Sequence, residues 1–212
     1  MATYRNGILG PFTGTVGSVV GTYWRGVPVI RSKSVRKRKG QSALQEQQRA
    51  KFKLMSVFLK PLKGLLNQTF KQSAVGITCT NKAFSTNKNA ITGTYPALTI
   101  DYPSIVLSKG RLPWGEPPKI TSPESGKLLL TWNTGDGLDP DLTSGKAFIA
   151  GYQEEFNRWI TGQFDIGGGV TSCMLSTEPF AGKAVQTYIG FISRNGKKTS
   201  ESRYMGVVHV ME

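Results

Sequence analysis

Three groups of residues in this 212-residue chain have types and spacing suited to chemistry. The first is acidic: Asp136, Asp139 and Asp141 fall within eight residues of Gly- and Pro-rich sequence. Carboxylates on a flexible loop are calcium ligands, but this spacing is not that of the helix–loop–helix calcium loop. Gly, Asp and Pro are equally the residues of tight turns, and a turn is the reading favoured here. The second group is nucleophilic. Cys79 alternates with threonines and has neither histidine nor acid beside it to activate it. His209, the single histidine, sits among Val208, Val210 and Met211 at the end of an expected strand, where a packing or surface role fits best. Glu154 and Glu155 are adjacent, and in a strand they would point to opposite faces, which denies them a shared substrate. Gly14, Gly17 and Gly21 lack the Gly-Lys-Ser/Thr ending of a phosphate loop, and Gly167–Gly169 precede no helix signal. Two cysteines and one histidine cannot build a zinc ribbon or a multi-histidine centre. The chain is therefore expected to be no enzyme, with no cofactor and no metal site.

The third group is cationic. Arg31, Lys33, Arg36, Lys37, Arg38 and Lys39 form one run, and Arg49, Lys51 and Lys53 follow it. Tyr23-Trp24-Arg25 precedes them and has the local form of a base-stacking site, an aromatic beside a cation. Met1–Arg111 carries 18 Lys and Arg against only Glu46 and Asp101, while Leu112–Glu212 carries nine against 11 acids, so the net charge of +14 resides in the first half. Such asymmetry points to nucleic acid, an anionic surface or an acidic partner. Its bland counterpart is a solvated linker in a protein kept soluble by charge.

The elements that must position these groups follow from periodicity. Thr15–Arg31 is rich in Val, Ile, Tyr and Trp around Arg25-Gly26 and reads as a hairpin, its glycines marking bulges or close backbone approach. Ser42-x-x-Gln45 is a capping box, and Phe52, Met55, Phe58, Leu59, Leu62, Leu65 and Leu66 recur at helical spacing. This predicts a helical segment over about 42–70, kinked or restarted at Pro61. Ile77–Thr80, Tyr95–Tyr102 and Ile105–Ser108 read as short strands, and Arg111–Pro118 with its three prolines as a module boundary. Beyond it, Lys127–Trp132, Lys146–Tyr152, Val170–Leu175, Ala184–Ser193 and Thr199–His209 read as strands. Asn195-Gly196 is a hairpin turn between the last two. Tyr23, Trp24, Trp114, Trp132, Tyr152, Phe156, Trp159 and Phe164 are expected in the core or at an interface. The fold class is thus mainly β (α+β): a basic N-terminal part over 1–112 with one helical segment, then an antiparallel sandwich over 119–212.

That second part, with its strand ending in Leu130-Thr131-Trp132, its Tyr188 strand and its closing hairpin, resembles fibronectin type III modules. Gly7–Gly26, the Gln47–Phe52 helix start, Asn89–Tyr95 and Ser108–Leu112 resemble a bacterial family of uncharacterised proteins nearly end to end, with a Gly-rich N-terminal hairpin as signature. The resemblance implies no activity and no site residues. Where members of that family often carry a short Pro/Thr-containing stretch, this chain has Arg36–Lys39.

The expected function is that of a non-catalytic structural or protein-interaction protein, docking on another protein or on copies of itself. The alternative is nucleic-acid binding through the 31–53 segment with Trp24. No apolar run approaches the roughly 18 residues of a membrane span. The N-terminal apolar stretch is too interrupted by Gly, Pro and Thr for an export signal, so the expected compartment is the cytoplasm.

Overall fold

The computed structural model describes residues 2–4, 7, 10–34, 40, 42–113, 118–132, 144–166 and 172–212. The chain divides into two compact units, Met1–Ser42 and Ala43–Glu212.

The first unit is one antiparallel sheet. Its strands β1 (Thr3–Tyr4), β2 (Phe12–Val16), β3 (Val19–Trp24) and β4 (Val27–Ser32) lie in chain order. Arg25 (φ 52°) and Gly26 (φ 84°) form the turn between β3 and β4, both central residues left-handed as a type I′ turn requires. Gly21 permits close approach: a Cβ there would strike the carbonyl and ring of Phe12 on the neighbouring strand.

The second unit begins with α1 (Ala43–Leu59), a 3₁₀ turn over Lys60–Leu62, and α2 (Lys63–Thr69). Pro61 sits at the start of the turn, where its missing N–H costs nothing, and it divides the segment as the sequence predicts. Ile77–Thr80, expected as a strand, instead opens a helix, α3 (Cys79–Asn87). Thr78 is its cap: the Thr78 side chain accepts from the Asn81 N–H at 3.2 Å. A short hairpin follows, β5 (Ile91–Thr94) and β6 (Ala97–Ile100), so the expected Tyr95–Tyr102 strand is shorter, ending in a 3₁₀ turn over Tyr102–Ser104.

Seven further strands make two antiparallel sheets. β7 (Lys119–Thr121), β8 (Lys127–Thr131) and β11 (Ser172–Ser176) form one, in the order β11-β8-β7. The other contains β9 (Lys146–Gln153), β10 (Arg158–Asp165), β12 (Ala184–Ile192) and β13 (Arg203–His209), in the order β10-β9-β12-β13. β9 and β12 are buried along nearly their whole length. Ala147, Ile149, Val185, Ile189 and Phe191 share a core with Leu128, Leu130 and Leu175 of the three-stranded sheet. Phe148, Ala150, Tyr152, Tyr188 and Ile192, from the opposite face, share a second core with Met55, Phe58, Leu62 and Leu66 of the helices. Alternation along the two strands therefore creates three layers: helices, four-stranded sheet, three-stranded sheet.

Ile105–Ser108 is no strand but a buried strap joining those layers. Ser202 Oγ accepts the N–H groups of Leu107 (2.7 Å) and Ser108 (3.2 Å), and Thr69 Oγ1 donates to the Leu107 carbonyl at 2.7 Å. Asn87 of α3 donates to the Val106 carbonyl (2.8 Å) and accepts its N–H (2.7 Å). The sequence reading puts a boundary at 112–119, whereas the division by contacts falls between Ser42 and Ala43. The physical reason is that strap and shared core: residues 43–112 have no apolar interior apart from the sheet they cover.

Candidate interaction surfaces

Strand register assigns the faces of the N-terminal sheet. Trp24 opposes Val27, Thr22 opposes Val29 and Val20 opposes Arg31, all on one face. Tyr23 opposes Pro28 and Gly21 opposes Ile30 on the other, together with Phe12 and Val16 of β2. The first face carries Val20, Val27, Val29 and Trp24 together with threonines and one cation, Arg31. The second carries no charged residue among these strands, and an open recess of about 310 Å³ lies against it between Phe12, Pro28 and Ile30. All six residues of β4 are exposed. Trp24 (71 %), Ile30 (66 %) and Val27 (60 %) are the extremes, and among the unit's described residues only Gly21 is buried. In a two-residue hairpin the flanking pair Trp24–Val27 is hydrogen-bonded, so the next residue, Pro28, turns its ring nitrogen to the outer edge. A proline there removes a donor and blunts the edge against pairing with another strand.

A second surface lies among the helices. The helices bury Met55, Phe58, Leu59 and Leu62 against the sheet, which leaves Phe52 on the rim, 58 % exposed. Its ring meets that of Phe84 on α3 with centroids 4.6 Å apart and planes tilted by 47°. On one side of this pair is an open groove of about 820 Å³, lined by Leu59, Lys60, Lys63, Asn67, Thr80 and Asn81 among others. On the other side is a recess of about 460 Å³ lined by Gln48, Lys51, Lys88, Asn89 and Ile91. No carboxylate lines either space.

The described residues with side chains suited to covalent chemistry do not converge. Glu154 and Glu155 lie in the turn between β9 and β10, not in a strand. Glu155 pairs with Lys183 Nζ at 2.7 Å, while Glu154 faces the Tyr102 hydroxyl. His209 is exposed at the end of β13. Cys79 and Cys173 are free thiols, and burial pushes Cys173 up to about 12. Cys79 Sγ lies 3.7 Å from the Asn67 carbonyl at the start of α3. Tyr102, Tyr152, Tyr188 and Tyr204 gather in the helix-side core, and burial holds all four phenols above the usual tyrosine range. Their hydroxyls are committed to structure. Tyr188 donates to the Tyr102 carbonyl (2.9 Å), Tyr152 to Asn157 (2.9 Å) and Tyr204 to Gln186 (2.6 Å). Among the described residues no three His, Cys, Asp or Glu side chains gather as metal ligands. Asp136, Asp139, Asp141, Gly167–Gly169 and Trp114 lie outside the described residues.

The described basic residues singled out in the sequence belong to both units. Trp24, Arg31 and Lys33 belong to the first unit, Trp24 and Arg31 on one face of its sheet. Arg36, Lys37, Arg38 and Lys39 lie outside the described residues. Arg49, Lys51 and Lys53 are on α1, where Lys51 lines the recess beside Phe52 and Arg49 and Lys53 do not. Sequence reasoning missed Phe84, Lys88 and Asn81 as neighbours of Phe52, because α3 was not legible as a helix.

A family model, DUF6266, described as a family of unknown function, matches residues 11–206. The chain belongs to that family. Strands β2 to β4 of the first unit and nearly all of the second fall within the DUF6266 match. No curated protein matches this DUF6266 chain. One solved structure, titled "Myokine structure", is similar at 12 % identity and a TM-score of 0.34, over 45 % of this chain and 93 % of that one. No helix among the described residues is long and apolar enough to cross a membrane.

Proposed function

We propose that this DUF6266 member is a non-catalytic interaction protein that associates with a second copy of itself through the uncharged face of the N-terminal sheet. The observation that carries this reading is the sheet's lack of any buried apolar side chain among its described residues, beside exposed Val16, Tyr23 and Ile30 on one face. A unit of 42 residues is too small to bury enough surface alone and gains a core by stacking on another layer. Two such faces stack about 10 Å apart and leave Trp24 and Arg31 of both copies on the outside. The blunted β4 edge favours this face over strand addition. The three-layered second unit, whose sandwich we read as fibronectin type III-like, is the carrier. The setting we propose is the bacterial cytoplasm, supported by two cysteines that are both free.

Light scattering on the eluting protein tests the association. The wild type is expected to elute as a dimer or larger species at high concentration. Ile30→Lys is expected to be monomeric with an unchanged circular dichroism spectrum. Salt is expected to strengthen association by screening the like charges of the two copies. A wild type that stays monomeric at every concentration and salt overturns the reading. The sequence alternative, nucleic-acid binding over 31–53, draws support from Lys51, which lines the recess beside Phe52.

A further inference from the structure

We propose that the groove between α1, α2 and α3 is a binding site for single-stranded nucleic acid, centred on the Phe52–Phe84 pair. It lies wholly in the second unit and shares no residue with the associating sheet face.

The groove and the adjoining recess meet at the two phenylalanines and run from Gln48 to Lys60 along α1, about 18 Å at the helical rise. Lys51 and Lys88 stand at one end and Lys60 and Lys63 at the other, with no acid between them. Residues 43–111 carry ten Lys and Arg against Glu46 and Asp101, so the surrounding field has the same sign. The capped N-terminus of α3 also opens on the groove at Thr78 and Thr80, and its dipole adds to the attraction for anions. Phe52, more than half exposed beside Phe84, offers a ring on which a base can stack. Cations along a groove with an aromatic platform in its middle are the parts that hold a single strand without reading its sequence. A helical peptide is the weaker fit. It needs a row of apolar anchors along the groove, whereas the large apolar side chains here are Phe52, Phe84, Leu59 and Ile91, interspersed with lysines, amides and hydroxyls.

Fluorescence titration of the full chain with a single-stranded oligothymidine tests the site, against an abasic strand of equal length and polyglutamate. Oligothymidine is expected to bind tightest, because the other two supply charge without bases. Phe52→Ala should weaken oligothymidine by roughly tenfold, the loss of one stacked base, and leave the abasic strand unchanged. Phe52→Leu, which keeps the packing volume, should weaken it likewise. Lys60→Gln with Lys63→Gln should flatten the salt dependence by about 1.4 in log–log slope, two phosphates' share for a single strand. The charge-matched pair Lys119→Gln with Lys197→Gln should leave slope and affinity in place. Equal binding of the abasic strand or of polyglutamate, or equal losses in the two lysine pairs, overturns the proposal. Ile30→Lys serves as a cross-check: it disrupts the sheet face and should leave oligothymidine binding intact.

Discussion

Gly21 and Gly190 do the same local job with opposite results. Each has no Cβ, so that a neighbouring strand's phenylalanine folds over it: Phe148 from directly opposite Gly190, and Phe12 diagonally over Gly21, whose register partner on that strand is Gly14. Phe148 is then sealed under the helices at 0 % exposure. Phe12 stays half-buried, in a sheet where Gly21 alone among the described residues is buried. A glycine beneath a neighbouring strand's aromatic is thus a device for packing, and becomes a core only where the chain supplies a second layer. The second unit supplies two, one on each face of β9 and β12. Among the described residues of its own unit the N-terminal sheet has no such layer.

That contrast can be broken first in the core. Phe148→Ala should destabilise the second unit by about 3–5 kcal/mol, the usual cost of emptying a large buried aromatic site, measured by urea unfolding. A smaller loss is expected from Ser202→Ala. It leaves the Leu107 and Ser108 N–H groups buried without their acceptor and should cost about 2 kcal/mol or more in the same assay. A third effect depends on pH. Tyr188 and Tyr102 have phenols raised above the ordinary value of 10.0 in the folded state, chiefly by burial. The unfolded chain therefore loses these protons first as pH climbs. The stabilisation is complete below about pH 10 and is lost progressively above it. Stability measured across the alkaline range should fall, and Tyr188→Phe should make that fall shallower. The smallest effect is expected at the exposed sheet. In dilute protein, Ile30→Ala should shift stability by no more than about 0.5 kcal/mol, since no packing is lost.

Much of the second unit is legible in its residues. The break at Pro61, the turn at Asn195-Gly196 and the paired strands around it follow from local chemistry, and so does the Arg25-Gly26 turn of the first. What is not legible is non-local or ambiguous. Thr78-Cys79-Thr80 has the alternation of a strand, yet Thr78 spends its hydroxyl as a helix cap, and a cap and a β-branched strand residue look alike in sequence. The proline cluster of 111–118 marks a surface connection, while the strap before it is fixed by bonds to Ser200 and Ser202 more than 90 residues away. β10 escapes notice because Gly162 interrupts its apolar alternation. The helical groove is hidden for the same reason as α3: its walls come from three helices, and only two announce themselves by periodicity. Lys60 and Lys63 read as mere surface until Phe84 is placed beside Phe52.

In the proposed association, a second copy completes the bare sheet. Hydrogen exchange at the amides of Val19–Ser32, followed in dilute and in concentrated protein, tests it most directly. Protection there should rise with concentration while that of Lys146–Gln153 stays constant. Protection of the sheet that is the same at both concentrations would contradict it.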